Sequence, residues 1–381
     1  MDYAYFGEFV LSKKWLFWLA FAYFILPFTV YLFVPFFIHR KSVLTRKTVT
    51  ILVLGDLGHS PRMCYHALSF ANLGFNVNLC GYIETAPPAA VIENVRIDVY
   101  PIQAIHNRKK LPYLAFALVK VLQQLFQLFQ LLLNFRGNEF FVVQNPPSMP
   151  LLAVLIVFIK LFTPRSKLVI DWHNLNYSIL NLRFKNLQHP LVRLMRLYER
   201  FLSRYAWLHI TVTHQMKQFL STEFGVKNSD IVTLHDRPGP QFTPISESKA
   251  LELTPDEDFD ILLGALKFYH DSANPTPLFV LVTGKGPMKS QFLSRVAELA
   301  FLEKVIVKSA WLSAEDYPCI LGVADLAVSL HTSLSGIDLP MKIVDFFGVG
   351  VPVVTLSFPA IGELVKDGVN GLVVKESENG A

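Results

Sequence analysis

Residues whose side chains can take part in chemistry cluster in short polar loops that follow apolar segments. The longest of these loops spans 331–338, where hydroxyl side chains and a glycine lie between an apolar run and a predicted helix that begins at Pro340. Free N–H groups and the helix dipole make such a helix N-terminus suited to phosphate. The pattern therefore indicates a nucleotide-linked ligand. The candidate binding residues are His331, Ser335, Gly336, Asp338, Lys342 and Asp345.

A second polar loop, 55–62, follows the first strand-like apolar segment of the chain. Its glycines permit a close approach of the backbone to a ligand, and Arg62 is able to grip a phosphate through two parallel hydrogen bonds. Gly58, Ser60 and Arg62 are therefore candidate phosphate-binding residues. The glycine spacing differs from the dinucleotide fingerprint, which excludes a nicotinamide cofactor. The competing interpretation is an ordinary strand–helix turn.

Two pairs of acidic and imidazole side chains are candidates for proton transfer. Asp56 and His59 belong to the second loop, while Asp171 and His173 lie at the end of another apolar strand. A carboxylate or an imidazole deprotonates an attacking hydroxyl when it reaches hydrogen-bond distance. The alternative for the second pair is a capped strand end with a satisfied histidine. The sequence does not rank these four residues.

The second half of the chain contains a further phosphate-loop candidate and an Asp-x-Asp motif. Gly284, Lys285 and Gly286 follow an apolar strand, so that the lysine offsets phosphate charge and the glycines admit a nucleotide. Asp258 and Asp260 resemble the metal-binding motif of some sugar transferases. We interpret them instead as acidic residues in the first turns of a helix, where they complement the helix dipole. We expect no metal and no tightly bound cofactor, and the sequence leaves a requirement for a divalent cation open.

These loops require two sheets to position them, because short apolar strands alternate with helical patterns from residue 48 onward. Fully apolar strands of this kind are typical of parallel sheets that are covered on both faces. We predict an α/β protein with two doubly wound parallel-sheet domains that face a cleft, since such sheets bind ligands at the carboxyl ends of their strands. The domains are expected at 48–236 and 254–381, joined by a linker at 237–253.

The uncharged segment 15–38 predicts a membrane anchor, because it is long enough to span a bilayer. Basic residues concentrate after it, so the positive-inside rule places 1–14 in the lumen and the rest of the chain in the cytosol. The three cysteines fit neither a disulfide framework nor a metal site. The net charge of +5 suits a membrane surface, and no nucleic-acid motif occurs. The alternative is a buried helix of a globular domain.

Seven segments share both their motifs and their order with one known family. They are 53–63, 144–147, 167–174, 197–200, 254–259, 284–287 and 331–354. With these segments the chain resembles the eukaryotic chitobiosyldiphosphodolichol beta-mannosyltransferase family over most of its length. Several of the motifs, such as DWHN at 171–174, are typical of this family rather than of glycosyltransferases in general.

The resemblance implies a GT-B fold with an N-terminal membrane anchor. It also implies transfer of mannose from GDP-mannose to chitobiosyl diphosphodolichol, with inversion to a beta-1,4 linkage, in assembly of the N-glycan precursor on the cytosolic face of the endoplasmic reticulum membrane. In that family context the loop 58–62 is expected to hold the acceptor diphosphate, and the loops 284–286 and 331–342 the donor. Asp345 matches the carboxylate that related enzymes place near the donor ribose. Asp56, His59, Asp171 and His173 are the candidate catalytic residues.

The chain departs from the family pattern in two places. Only a short segment separates 235–238 from 254–259, and the chain stops soon after 370–374. We therefore expect a shortened linker and an incomplete second domain. A second hypothesis follows from this: a membrane-anchored, catalytically weak protein that binds other transferases of the dolichol pathway. A third hypothesis keeps the fold and changes the donor to a UDP-sugar.

Overall fold

The computed structural model describes most of the chain outside the predicted anchor and several loops. The described residues are 18–19, 21–23, 47–105, 112–244, 250–253, 259–273, 275–283, 289–299, 301, 304–313, 316–330 and 335–375. Within these ranges no helix has both the length and the apolar character needed to cross a bilayer. The predicted anchor 15–38 falls largely outside them, so that it stays a prediction.

Seven strands form the first sheet. They are β1 (Thr48–Asp56), β2 (Asn76–Tyr82), β3 (Ile97–Pro101), β4 (Phe140–Asn145), β5 (Lys167–Trp172), β6 (Leu208–Thr211) and β7 (Ile231–Thr233). Their order in the sheet is β3-β2-β1-β4-β5-β6-β7, and β1 pairs in parallel with both β2 and β4. The first strand, β1, thus lies near the middle of the sheet, and later strands are added on both sides of it, as the alternation of strands and helices predicted. The apolar side chains of β1, such as Ile51 and Leu52, are fully buried, as a sheet covered on both faces requires.

The helices that accompany this sheet begin at residues suited to a helix start. Their bounds are α1 (Pro61–Asn72), α2 (Ala89–Ile92), α3 (Tyr113–Leu133), α4 (Leu151–Phe162), α5 (Asn176–Phe184), α6 (Pro190–Leu202) and α7 (His214–Glu223). Proline occupies the first position of α1 and α6, where its missing N–H costs no hydrogen bond. Thr213 caps α7, because its hydroxyl accepts a hydrogen bond from the Met216 N–H at 2.9 Å. Single 3-10 turns occupy Leu57–His59, Ser203–Tyr205 and Asn228–Asp230.

Six strands form the second sheet. They are β8 (Ala250–Leu253), β9 (Leu278–Thr283), β10 (Val305–Ala310), β11 (Ala324–Ser329), β12 (Val353–Leu356) and β13 (Gly371–Val374). The sheet order is β10-β9-β8-β11-β12-β13, and its strand pairs are parallel. The accompanying helices are α8 (Phe259–His270), α9 (Lys289–Leu299), α10 (Asp316–Gly322) and α11 (Met341–Gly348). The sequence pattern over 360–365 predicts a further helix, but the structure forms only a 3-10 turn there, Ile361–Glu363.

The first strand of the second sheet lies inside the segment that the sequence predicted as a linker. β8 occupies the last residues of 237–253 and pairs in parallel with β9 on one side and β11 on the other. The segment did not read as a strand because acidic, basic and hydroxyl residues at 246–249 precede a very short apolar run. Pairing on both sides supplies the hydrogen bonds that make so short a strand stable. The second sheet therefore begins before Thr254.

Two apolar clusters stabilise the second sheet. In the first, Leu262, Leu263 and Leu266 of α8 are buried with Val280 of β9 and Phe292 of α9. The second is formed around α11 and the strands β11 and β12. The two clusters belong to different helices. These helices cover the apolar strands of the second sheet, as is required in a parallel sheet whose strands are buried.

The chain divides into two compact units whose boundary differs from the predicted one. The first unit comprises 1–169 and 205–207, and the second comprises 170–204 and 208–381. The strands β6 and β7 of the first sheet are thus grouped with the second sheet. Hydrogen bonds from Asn174 and Thr213 to the loop 335–338 contribute to this grouping, because they join residues far apart in the sequence.

Candidate functional site

The carboxyl end of β5 holds an imidazole against a buried carboxylate. Asp171 is fully buried, and the His173 Nε2 atom lies 3.1 Å from its Oδ2 atom. The side chain of His173 is 27% exposed, so that it is accessible to a ligand while its partner is not. The two members of this predicted catalytic pair are therefore brought together, with the carboxylate in a position to orient the ring.

A buried tryptophan fixes the backbone of the same strand end. The Trp172 indole N–H donates to Nδ1 of His209 at 3.0 Å, and both side chains are buried. Burial lowers the pKa of His209 to about 4, so this imidazole is neutral at physiological pH and accepts the hydrogen bond. Sequence reasoning missed this pair, because the pattern shows only a histidine in a distant apolar strand.

The residue after His173 connects β5 to the predicted donor loop. The Asn174 side-chain amide donates to Asp338 Oδ2 at 2.9 Å, and the Ser335 hydroxyl donates to Asp338 Oδ1 at 2.8 Å. The Asn174 oxygen accepts from the Leu175 N–H at 2.7 Å, which fixes the direction of the amide. Both oxygens of Asp338 thus accept a hydrogen bond, and the carboxylate orders the loop.

A second connection holds the donor loop at the N-terminus of α7. The Thr213 hydroxyl donates to the Ile337 carbonyl at 2.5 Å while it caps α7. Gly336 adopts φ +71°, a conformation that side chains disfavour, and its carbonyl accepts from the Ala360 N–H at 3.1 Å. Asn174 and Thr213 are site residues that the sequence reasoning did not assign. Only their hydrogen bonds across more than 100 residues of sequence identify them.

The helix that follows the donor loop carries a carboxyl group with an unusual pKa. Asp345 is half-buried on α11, and burial raises its pKa from 3.8 to about 7. A protonated carboxyl both donates and accepts hydrogen bonds, whereas the ionised form only accepts. Lys342 lies one turn earlier on the same helix and is also half-buried. Both predicted donor-binding residues are thus on the helix where the sequence expected them, and their role stays a prediction.

The loop after β1 contains the other acid–imidazole pair. His59 Nδ1 donates to Asp56 Oδ2 at 2.6 Å, and the N–H groups of Glu84 and Thr85 donate to Asp56 Oδ1 at 2.9 and 3.0 Å. Burial alone raises the pKa of Asp56, but these hydrogen bonds outweigh it and lower the pKa to about 2. Asp56 is therefore a permanent anion, which makes it a poor base and a good partner for an imidazolium. The His59 side chain is 76% exposed.

The predicted phosphate-binding residues of this loop are closely packed. A Cβ atom at Gly58 would lie 2.7 Å from the Thr85 Cβ, so that only glycine fits there. Ser60 and Arg62 are each only 7% exposed, and the Ser60 hydroxyl donates to the Asp56 carbonyl at 2.9 Å. Their side chains therefore present little surface to a ligand in this structure. Their assignment to an acceptor diphosphate stays a prediction.

Several predicted residues lie outside the part of the chain that the structure describes. These are Gly284, Lys285, Gly286, His331 and Asp258. Asp260 is described: it lies in the first turn of α8 and pairs with Arg295, which agrees with a structural interpretation of the acidic motif. The donor role of the first four residues stays a prediction.

A carboxylate that the sequence did not indicate as functional binds the N-terminus of α7. Glu363 accepts hydrogen bonds from the His214 N–H at 2.7 Å, the Gln215 N–H at 2.9 Å and the His235 Nε2 at 2.9 Å. Burial opposes ionisation of Glu363, but these hydrogen bonds lower its pKa overall. The negative charge at a helix N-terminus is favourable. Glu363 therefore fastens the segment after β12 to α7, close to the loop that Thr213 binds.

Comparison with known proteins places this geometry among sugar transferases. Residues 251–381 match the family "Glycosyl transferases group 1". A relative from Debaryomyces hansenii, named chitobiosyldiphosphodolichol beta-mannosyltransferase, is 52% identical over 97% of this chain and 85% of its own length. Relatives of the same name from Candida albicans and Homo sapiens are 52% and 36% identical, over 97% and 88% of this chain and 86% and 83% of their own lengths.

Solved structures of remote proteins share the fold. TarM has a TM-score of 0.60 at 10% identity, covering 88% of this chain and 90% of that one. Anabaena HepE in complex with UDP and glucose has a TM-score of 0.59 at 14% identity, covering 87% of each chain. At such low identity the likeness concerns the fold alone, and it confirms the predicted GT-B-like arrangement of parallel sheets and helices.

Proposed function

Because this chain belongs to the chitobiosyldiphosphodolichol beta-mannosyltransferase family, we propose that it transfers mannose to a chitobiosyl diphosphate carried by dolichol, a step in assembly of the N-glycan precursor. The observation that carries the proposal is the 52% identity over 97% of this chain. The donor loop supports it, since Ser335, Gly336 and Asp338 are ordered by hydrogen bonds from distant elements.

The donor in this proposal is GDP-mannose. Its diphosphate would be bound by the loops 284–286 and 331–342, where N–H groups, Lys285 and Lys342 offset negative charge as it develops on the leaving group. Asp345 would face the nucleotide ribose, for which a carboxyl group is a suitable hydrogen-bond partner. No step of this proposal requires a metal ion, because cationic side chains and backbone N–H groups can stabilise the departing diphosphate.

The proposed reaction is a single in-line displacement that inverts the anomeric carbon. The acceptor hydroxyl oxygen forms a bond to C1 of mannose while the bond from C1 to the phosphate oxygen breaks and GDP departs. The hydroxyl proton passes to a general base. We assign this role to His59, since its imidazole is exposed and its Nδ1 atom binds a carboxylate that stays ionised. His173 then acts on the donor side, because the adjacent Asn174 binds the donor loop.

The proposed location is the cytosolic face of the endoplasmic reticulum membrane, with residues 15–38 as a single anchor. Two features of the sequence support it: the uncharged segment 15–38 and the basic residues that follow it. A lipid-linked acceptor also requires an enzyme that works at a membrane surface. Expression of the full chain with a tag at either end, followed by protease protection in sealed microsomes, tests the predicted orientation.

An activity assay with the full chain tests the proposed function. Purified protein is incubated with radiolabelled GDP-mannose and a chitobiosyl diphosphate lipid, with UDP-glucose as the alternative donor. We expect a mannosylated lipid that a beta-mannosidase cleaves and an alpha-mannosidase does not. Folded protein that forms no such product would support the second hypothesis instead, a binding partner of other pathway transferases. The relatives' names favour the enzyme.

A further inference from the structure

The helices α5 and α6 enclose a cavity whose chemistry the donor and base assignments do not explain. Its volume is about 890 Å³, within the range of small-molecule sites. The wall is apolar on one part, with Leu182, Leu187 and Leu197, and basic on another. These three leucines are 48–60% exposed, and they are grouped around one cavity rather than scattered over the surface.

The basic part of the cavity comes mainly from one face of α6. Arg193, Arg196 and Arg200 follow one another at helical spacing, with Leu197 between them, and Lys185 faces them from the end of α5. Among the residues that the structure describes, no carboxylate lines the cavity. Arg196 is paired with Glu223 at 2.7 Å, whereas Arg193 and Arg200 form no ion pair within the described residues. Two arginines are thus available to an anion.

The hairpin that carries these residues is held rigidly. Glu199 of α6 is fully buried and accepts from the Asn176 N–H at 2.8 Å and the Tyr177 N–H at 3.2 Å. This carboxylate caps α5 and ties it to α6, where negative charge at the helix start is favourable. The two helices that carry the leucines and arginines are therefore joined to each other by buried hydrogen bonds in the absence of a ligand, which favours a preorganised site.

One end of the cavity reaches the donor loop. Ser335 lines the cavity and donates to Asp338, which in turn accepts from Asn174. A molecule in the cavity therefore meets apolar side chains and arginines together, beside the loop assigned to the sugar donor. An amphiphile with an anionic head and an apolar tail matches this combination of surfaces.

We propose that the cavity between α5 and α6 binds the polyisoprenyl diphosphate part of the lipid acceptor. Arg193 and Arg200 bind the diphosphate, and Leu182, Leu187 and Leu197 contact the first isoprene units of the chain. This inference rests on the proposed function for the identity of the ligand. It differs from the expected seat at Gly58, Ser60 and Arg62, where the serine and arginine side chains are almost wholly buried.

Acceptor kinetics of full-length variants test this seat. Arg193→Gln/Arg200→Gln is expected to raise the KM for a chitobiosyl diphosphate lipid at least tenfold and to leave the KM for GDP-mannose within twofold, since charge-assisted hydrogen bonds are lost on the acceptor side only. Leu197→Ser is expected to raise the same KM. The matched control is Arg204→Gln, which removes an exposed arginine just beyond α6. Arg193→Lys/Arg200→Lys should recover part of the affinity.

Competition with simple probes identifies the chemistry that the cavity recognises. Geranylgeranyl diphosphate should compete with the lipid acceptor, while inorganic diphosphate and geranylgeraniol at the same concentration should compete at least tenfold more weakly. Equal competition by inorganic diphosphate would show an anion site without lipid recognition and would overturn the proposal. An unchanged acceptor KM in both the arginine and leucine variants would overturn it as well.

The outcome for this cavity is separable from the outcome for the proposed function. If the wild-type chain makes no mannosylated lipid, the proposed function fails, and direct binding of fluorescent geranylgeranyl diphosphate to wild type and Arg193→Gln/Arg200→Gln still tests the cavity. If wild type is active and the variants bind the probe equally well, the cavity assignment fails and the activity stands. Thermal melting of each variant confirms that its fold is retained.

Discussion

At the scale of single residues, the structure converts four unranked catalytic candidates into two pairs with different properties. Asp171 is fully buried and the Asp56 side chain is 11% exposed, so the two histidines are the members of these pairs that a substrate reaches more readily. His59 is far more exposed than His173, and its carboxylate has a pKa of about 2. These differences are the basis for our proposal that His59 takes the proton and that His173 acts on the donor side.

Replacement of each histidine by alanine tests this division. His59→Ala should lower kcat about 100-fold or more and leave the KM for GDP-mannose unchanged, because a general base contributes roughly 10²–10⁴-fold. His173→Ala should chiefly raise the KM for GDP-mannose. Steady-state kinetics with both substrates provides the measurement. The reverse pattern would assign the base to the β5 loop.

The raised pKa of Asp345 predicts how stability depends on pH. The folded protein holds this proton more tightly than the unfolded chain, so that the stabilising effect is complete below about pH 4 and is lost as the pH rises through about 7. Asp345→Asn cannot ionise. Its melting temperature relative to wild type should therefore increase between pH 5 and pH 8, as differential scanning fluorimetry without nucleotide will show. If the difference in melting temperature between the variant and wild type were the same at both pH values, burial would not disfavour the ionised form of Asp345.

At the scale of elements, the donor loop depends on a turn that only glycine fits well. Gly336 has φ +71°, and an added Cβ would lie 3.2 Å from the Pro359 Cδ. The turn is held from both sides, by the Thr213 hydroxyl at Ile337 and by the Ala360 N–H at Gly336. A change in this turn should therefore move Ser335 and Asp338 together.

Gly336→Ala should destabilise the protein by about 1–2 kcal/mol, because a left-handed conformation is unfavourable for residues with a Cβ. It should also raise the KM for GDP-mannose through displacement of Asp338. Gly362→Ala is the matched control, since nothing lies within 4 Å of an added Cβ there. Urea denaturation of both variants measures the difference. Equal stability of the two would show that the loop relaxes without cost.

At the scale of the whole molecule, the fold alone leaves the proposed donor nucleotide open. A structure with UDP bound shares the fold at 14% identity, and fold alone does not specify the base of the nucleotide. The family membership, established at 52% identity, is what favours a guanine nucleotide in our proposal.

Nucleotide protection tests that choice without any turnover. GDP at 100 times its Kd should stabilise the full chain by about 2.7 kcal/mol and raise its melting temperature, since the ligand binds only the folded state. UDP at the same concentration should have little effect. Asp338→Ala serves as the control, because it should reduce the shift. Protection by UDP and not by GDP would exclude the proposed donor.

Much of the fold followed from local sequence patterns. Apolar strands such as β1 and β9 were visible because parallel strands buried on both faces carry long apolar runs. β8 escaped notice because its four residues depend on two neighbouring strands for stability. The helix predicted at 360–365 is a single 3-10 turn, and its Glu363 side chain accepts hydrogen bonds from the N-terminus of α7.

The fold class, the family and the polar loops that carry Asp56, His173 and Asp338 were predictable from the amino-acid sequence, because they follow from residue type and from order along the chain. Which of these groups contact one another depends on the packing of the folded chain. Asn174 with Asp338, Thr213 with Ile337 and Glu363 with His235 are contacts across more than 100 residues. The cavity beside α6 likewise depends on the tertiary structure. In the sequence its arginines and leucines form an ordinary amphipathic pattern. The packing of α5 leaves these side chains exposed around one space, because the burial of a side chain depends on packing and cannot be read from the sequence.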